Sequence, residues 1–220
     1  MKITNYAFAY KDQPIFDDFS VEFSSDYLNV LLGENGSGKS TLFDAIAGVN
    51  GARNQPIPNQ SVAYKVQQPV LFPNLTVQEI INLFTQIGSV KLETETGRLI
   101  REDFLSKILS RKMGQLSGGE RQLLFSYGTH LLDRDIYLFD EPTAGVSFSN
   151  AEYILKMMQE LVDARGKTVV VTLHDLKEIE TMNVHLVTLQ AGKVSFSGTK
   201  AGMLELAGTP DFEAAVKQLV

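Results

Sequence analysis

The chain has 220 residues, 44% of them hydrophobic, enough to bury a sizeable core within the size range of one α/β domain. Its formal net charge of -6 offers no broad attraction for nucleic acid, and no nucleic-acid partner is expected. The absence of cysteine excludes a disulfide framework and cysteine-ligated zinc, and no run approaches the roughly 18 consecutive apolar residues of a membrane span.

Met1 to Asn5 lacks the long apolar core of a signal peptide. Strand-like runs at Ile3–Tyr10 and Phe19–Phe23, joined by a polar Lys11-Asp12-Gln13-Pro14 turn, predict an antiparallel pair. Leu28–Leu32 reads as a short buried strand, followed by a glycine-rich turn and a helix from Ser40 closed by Gly48. Asn50 to Gln60, rich in Gly, Pro and Asn, leaves little room for further strands. From Thr76 to about Leu109 the pattern becomes helical. Thr76 and Glu79 form a capping box, Ile80, Ile81, Leu83, Phe84 and Ile87 share an apolar face, and a polar loop interrupts near Glu93–Gly97.

A second capping box, Ser117 with Glu120, opens a helix whose apolar face continues through Leu123, Leu124, Tyr127 and Leu131. Ile136–Phe139 is apolar and β-prone, as a strand buried on both faces of a parallel sheet must be. Ser149 to Gly166 is a helix capped by Ser149 and Glu152, with Met157 and Met158 as core filler. Val169–Leu173 is another apolar strand, and Leu186–Leu189 with Lys193–Phe196 flank Ala191-Gly192 as a hairpin.

Three motifs carry chemistry. Gly33-Glu34-Asn35-Gly36-Ser37-Gly38-Lys39-Ser40-Thr41 fits G-x-x-x-x-G-K-[ST] in full, between a predicted strand and helix. Glycines let successive backbone N–H groups approach a polyphosphate at the helix N-terminus; Lys39 can reach the β- and γ-phosphates, and the Ser40 hydroxyl can bind Mg²⁺. At the end of the strand Ile136–Phe139, Asp140 is placed to hold Mg²⁺ and Glu141 to polarise the attacking water. Between them stands Leu116-Ser117-Gly118-Gly119-Glu120-Arg121-Gln122. The capping box accounts for Glu120 as a purely structural residue, but not for the glycine pair; a bare helix N-terminus makes sense where a phosphate must dock.

In this order the motifs resemble the nucleotide-binding domain of an ABC transporter. The resemblance covers nearly the whole chain and implies a P-loop α/β fold of the ABC ATPase type over residues 1–220. Its parts are a RecA-like core, an antiparallel β subdomain and a helical subdomain at about 74–130. It implies ATP and Mg²⁺ as cofactors and hydrolysis of ATP to ADP and phosphate. It assigns Ser117, Gly118, Gly119 and Glu120 to the ATP held by a partner cassette. Gln67 becomes the residue touching Mg²⁺ and the attacking water, with Gln68 as the alternative. His174 becomes the switch residue at the γ-phosphate, and Tyr10 the ring that stacks on adenine, with Tyr6 and Phe8 near enough to compete.

There are two departures from the family pattern. Ala144-Gly145-Val146-Ser147 stands where the family reads Ser-Ala-Leu-Asp, so Ser147 replaces the acid that couples two composite sites. The Lys39–Gln67 connection is also short, which implies a trimmed antiparallel subdomain. The resemblance further implies ATP-driven pairing with a second copy or a close relative, a separately encoded transmembrane subunit, and residence at the cytoplasmic face of a membrane. A soluble ABC ATPase of macromolecular assembly or nucleic-acid processing shares the same motifs, and a non-catalytic ATP sensor is opposed by the intact Lys39, Asp140, Glu141 and His174.

Overall fold

A computed structural model describes residues 1–11, 13–49, 55–69, 72–89 and 93–220. Two sheets organise the described residues. Strands β1 (Lys2–Tyr10) and β2 (Gln13–Glu22) pair antiparallel. The larger sheet contains β3 (Leu28–Leu32), β4 (Val62–Lys65), β5 (Ile136–Phe139), β6 (Thr168–Thr172), β7 (Val184–Gln190) and β8 (Lys193–Thr199), in the spatial order β4-β5-β6-β3-β7-β8. Its first five strands run parallel, and β8 returns antiparallel through the expected hairpin turn at Ala191-Gly192.

Every residue of β3, β5 and β6 is buried, because helices cover one face of the sheet and α1 (Lys39–Ala47) with the β1–β2 ribbon covers the other. The first face packs against α4 (Gly118–His130) and α5 (Phe148–Arg165), with Met157 and Met158 fully inside. Both methionines are core residues, as their position in the apolar pattern indicates.

Several local expectations shift. The turn after β1 is tighter than Lys11–Pro14, since Tyr10 pairs Gln13 and Ala9 pairs Pro14; Asp12 lies outside the described residues. Strand β2 starts well before Phe19. Register shifts in the ribbon, with Asn5 and Asp18 at φ 51° and 54°, break the period-two pattern that would have revealed it. Strand β4 has no counterpart in the sequence reading: it lies in the short connection, of which 50–54 falls outside the described residues, and among the described residues it pairs one neighbour, β5.

Helix α2 (Val77–Ile87) carries the expected Thr76–Glu79 capping box, but Leu83 and Ile87 are exposed. Only Val77, Ile80, Ile81 and, in part, Phe84 turn inward, because Leu83 and Ile87 lie one turn apart on a stripe of their own. The predicted loop at Glu93–Gly97 is replaced by Thr94 capping α3 (Glu95–Leu99), whose polar start is buried against Glu160: the Thr96 N–H donates to its carboxylate at 2.9 Å. Helix α5 begins at Phe148 with Ser147 at its N-cap position and no side-chain cap bond, so Ser149 and Glu152 do not cap it; Gly166, at φ 59°, does end it. Two C-terminal helices, α6 (Lys200–Ala207) and α7 (Phe212–Leu219), complete the chain order.

His130, the last residue of α4, is wholly buried, its Nδ1 on the Tyr127 carbonyl and its Nε2 without a partner among the described residues. Burial pushes the imidazole down to about 4, outweighing the Tyr127 carbonyl bond that favours the charged form. The unfolded chain therefore binds the proton first. The neutral imidazole's contribution is intact above about pH 6.5 and is lost as pH falls toward 4, a change of about 3 kcal/mol at most. We expect His130→Gln to flatten the pH dependence of the unfolding free energy between pH 6.5 and 4 in denaturant titrations. An unaltered slope would remove His130 as a source of acid lability.

Candidate functional site

The C-terminal ends of β4, β5, β6 and β3 lie side by side, which is where open parallel sheets bind ligands. Each contributes one part of the candidate site. The loop after β3 is the glycine-rich turn; Gln67 follows β4, Asp140 and Glu141 follow β5, and His174 follows β6.

The turn needs its glycines for identifiable reasons. Gly36 and Gly38 adopt φ 84° and 109°, and a Cβ on Gly38 would press on the Phe16 ring at 3.1 Å. A Cβ on Gly33 would collide with the Leu189 carbonyl. Thus the β1–β2 ribbon and β7 clasp the loop from outside. Lys39 folds back over it, its Nζ donating to the Gly33 and Glu34 carbonyls at 2.6 and 3.0 Å. Desolvation lowers the Lys39 ammonium, with Asp140 and Glu141 partly offsetting it.

Ser40 donates to Asp140 Oδ2 at 3.0 Å, so the two residues assigned to Mg²⁺ meet through their oxygens. Asp140 is nearly buried, and its other oxygen accepts from Thr172 Oγ1 at 2.7 Å. Glu141, at φ 45°, has its N–H on the same Thr172 oxygen at 2.9 Å. A non-glycine residue in that region costs of order 1–3 kcal/mol and persists only where its surroundings hold it. The Glu141 carboxylate takes Gln67 Nε2 on one oxygen and His174 Nε2 on the other, each at 2.6 Å. Both residues therefore meet at Glu141.

No group of three or more His, Cys, Asp or Glu residues able to hold a metal occurs among the described residues. The oxygen-only pair of Ser40 and Asp140 suits Mg²⁺, which takes few protein ligands and leaves room for phosphate and water. Tyr10 is 46% exposed, edge-on to Phe8 at 4.8 Å, whereas Tyr6 is buried in the core and Phe8 half-buried. Of the three rings, Tyr10 is the one open to a ligand.

At the start of α4 the capping box is complete. Ser117 Oγ accepts from the Glu120 N–H at 3.1 Å, and Glu120 accepts from the Ser117 N–H at 2.7 Å and from Arg111 at 2.6 Å. The Ser117 N–H bond, followed by Arg111, holds the Glu120 carboxyl below its usual range, so Glu120 serves the helix start. Gly118 opens onto solvent, but a Cβ on Gly119 would lie 2.8 Å from the Gly145 carbonyl. The two glycines therefore have different causes: close backbone approach for Gly119, an uncovered surface for Gly118.

Lys65 and Thr172 escape motif reading, yet both grip the Asp140–Glu141 pair. Lys65, only 3% exposed at the end of β4, donates from Nζ to the Asp140 and Glu141 carbonyls at 3.0 and 3.4 Å. Burial pushes it down to about 8 against the pull of Asp140 and Glu141. A lysine closing the short run Val62-Ala63-Tyr64-Lys65 was the available signal. Thr143 is likewise tied to Glu178 at 2.7 Å, linking the loop after Glu141 to the short turn after His174.

Fold and site together define a P-loop nucleoside-triphosphate-binding cassette. The family model described as ABC transporter matches residues 16–144. The manganese transport ATP-binding protein MntB of Bacillus subtilis is 28% identical, covering 91% of this chain and 87% of its own. A probable branched-chain amino acid transport ATP-binding protein, LivF of Archaeoglobus fulgidus, is 30% identical over 89% and 90%. A solved ATP-binding subunit of an ABC transporter superimposes with a TM-score of 0.81 at 23% identity, covering 99% of this chain and 98% of its own. This chain belongs to the ABC transporter family, as an ATP-binding subunit that powers transport.

The glycine pair allows a direct check. We expect Gly119→Ala to lower the unfolding free energy by about 1–3 kcal/mol, the usual range for overpacking, because the Gly145 backbone cannot yield as a flexible side chain would. Gly118→Ala should leave the thermal midpoint unchanged or slightly higher. Equal effects of the two in thermal melts would refute the distinction.

Proposed function

We propose that the chain binds MgATP, hydrolyses it to ADP and phosphate, and pairs through ATP with a second copy or a close relative. The observation that carries this reading is the convergence on Glu141, with Gln67 and His174 on its two oxygens and Asp140–Ser40 beside it. The phosphates would lie along the 33–41 turn, facing its backbone N–H groups and Lys39. Ser40 and Asp140, with Gln67, would hold Mg²⁺. When bound, the ion neutralises charge on the phosphate oxygens. Glu141 accepts the proton of the attacking water, with Gln67 touching that water and His174 the γ-phosphate, and Tyr10 stacks on the base.

The whole chain, 1–220, acts as one cassette, with about 74–130 as its helical subdomain. Its signature faces outward: Gly118 is open, and the bonds of Ser117 and Glu120 close on their own helix start and Arg111, leaving the Ser117 hydroxyl proton for a partner's phosphate. Ser147 stands where the family carries the acid that couples the two composite sites.

The expected partner in transport is a separately encoded transmembrane subunit, met at the cytoplasmic face of a membrane. Among the described residues no helix is long and apolar enough to cross one. Phe72, 56% exposed between Gln67 and α2, forms the surface offered to that subunit for docking, and Leu75 behind it packs on the core. Val70 and Leu71 of the same stretch lie outside the described residues. The manganese and amino-acid transport relatives support a transport role without fixing the cargo.

Glu141→Gln should keep ATP affinity but hydrolyse ATP about 10²–10⁴-fold more slowly, the usual range for loss of a general base. With MgATP it should run as a dimer in light scattering. Wild-type turnover in a contaminant-free preparation would sink the assignment of Glu141, and a strictly monomeric variant would sink self-pairing.

Phe72→Ser should leave the melting temperature and ATP binding unchanged, since the ring is largely outside the core, while abolishing co-purification with the membrane subunit. Retention of that subunit and of full transport would exclude Phe72 from the docking surface.

A further inference from the structure

A lysine whose ammonium is withdrawn from water is an expensive core residue, and a methionine of similar length would fill the same space without desolvating a charge. Lys65 nevertheless stands in a strand that pairs β5, an entirely apolar neighbour, with its charged end inside. Its bonds explain why. The Lys65 carbonyl accepts from the Asp140 N–H at 2.9 Å, while Nζ reaches the Asp140 carbonyl at 3.0 Å and the Glu141 carbonyl at 3.4 Å.

The peptide group between Asp140 and Glu141 is consequently held along both edges. Its N–H lies on Thr172 of β6, and its C=O lies on Lys65 of β4, the strands on either side of β5. That peptide leads into the left-handed backbone of Glu141, from which the carboxylate reaches Gln67 and His174. An open chain would not hold a glutamate there.

We propose that Lys65 is a positioning residue for hydrolysis: by clamping the Asp140 and Glu141 carbonyls against the Thr172 bond, it fixes the backbone that aims the Glu141 carboxylate at the water. Lys65 touches neither phosphate nor water in this role. Its effect passes through Glu141 alone, and it rests on the reading of Glu141 as the general base.

Lys65→Met tests this. Displacing a reacting group by about 1 Å costs on the order of 10²-fold in rate, so kcat should fall about 10- to 100-fold. The KM for ATP, the affinity for a fluorescent ATP analogue without Mg²⁺ and the melting temperature should stay near wild type. In the Glu141→Gln background the same change should have no further effect on residual turnover, because residues acting through one group are not additive. Multiplicative losses in the double variant, an unchanged kcat, or a loss of kcat that follows a lowered melting temperature would each overturn the proposal. Should Lys65→Met fail to fold, Lys65→Gln is judged by the same split between kcat and nucleotide affinity. A wild-type turnover insensitive to Glu141→Gln would remove the catalytic reading and this one together; sensitivity to Glu141→Gln with insensitivity to Lys65→Met would remove this one only.

Discussion

The Asp140 carboxylate, nearly removed from water, accepts from Ser40 on one oxygen and Thr172 on the other, and so joins the first turn of α1 to the ends of β5 and β6. An unpaired buried carboxylate would be strongly unfavourable, so its two bonds fix how far the helix after the glycine-rich turn stands from the sheet. That spacing decides where the turn's N–H groups, Lys39 and the Glu141 carboxylate lie relative to one another. The rest of the site is arranged around it: Gln67 and His174 close on Glu141, and Lys65 closes on the peptide between the two acids.

The site gathers two cations and two carboxylates in little volume. Burial lowers both Lys39 and Lys65, and the charges of Asp140 and Glu141 oppose that loss in each case. The arrangement is pre-organised in the sense that its polar groups already have fixed partners. Lys39 spans two loop carbonyls, and Glu141 has both oxygens engaged. A ligand entering here exchanges one set of directed bonds for another and need not order a flexible surface.

Helix α4 illustrates how one segment serves two demands. Its capping box and the Arg111 contact make a stable helix start with ordinary chemistry, and Leu123, Leu124 and Tyr127 bury it in the core. Gly119 is then required by the nearby Gly145 backbone, which brings the signature against the loop following Glu141. The start of α4 and the loop following Glu141 thus meet through backbone atoms, a rigid contact that side-chain motion cannot absorb.

Local pattern determined a large part of this protein. Leu28–Leu32 and Ile136–Phe139 stand as read, because continuous apolar runs bounded by turns have few other solutions. The capping boxes at Thr76 and Ser117 and the glycine stop at Gly166 stand as well, since their bonds span three or four residues. The glycine-rich turn at 33–41 was legible because its spacing is local. What the sequence left undecided depends on partners distant in the chain. Strand β4 gains its conformation from β5, more than seventy residues later, as Val62 pairs Ile136. The inward face of α2 was set by what it packs against, so Leu83 and Ile87 stayed outside despite their type. That Tyr10 is exposed while Tyr6 is buried became visible only in the tertiary structure, and Ser147 displaced Ser149 at the start of α5. Lys65 and Thr172 carry no motif, because their importance comes from strands adjacent in space rather than in sequence, and only the sheet order brings them to the Asp140–Glu141 peptide.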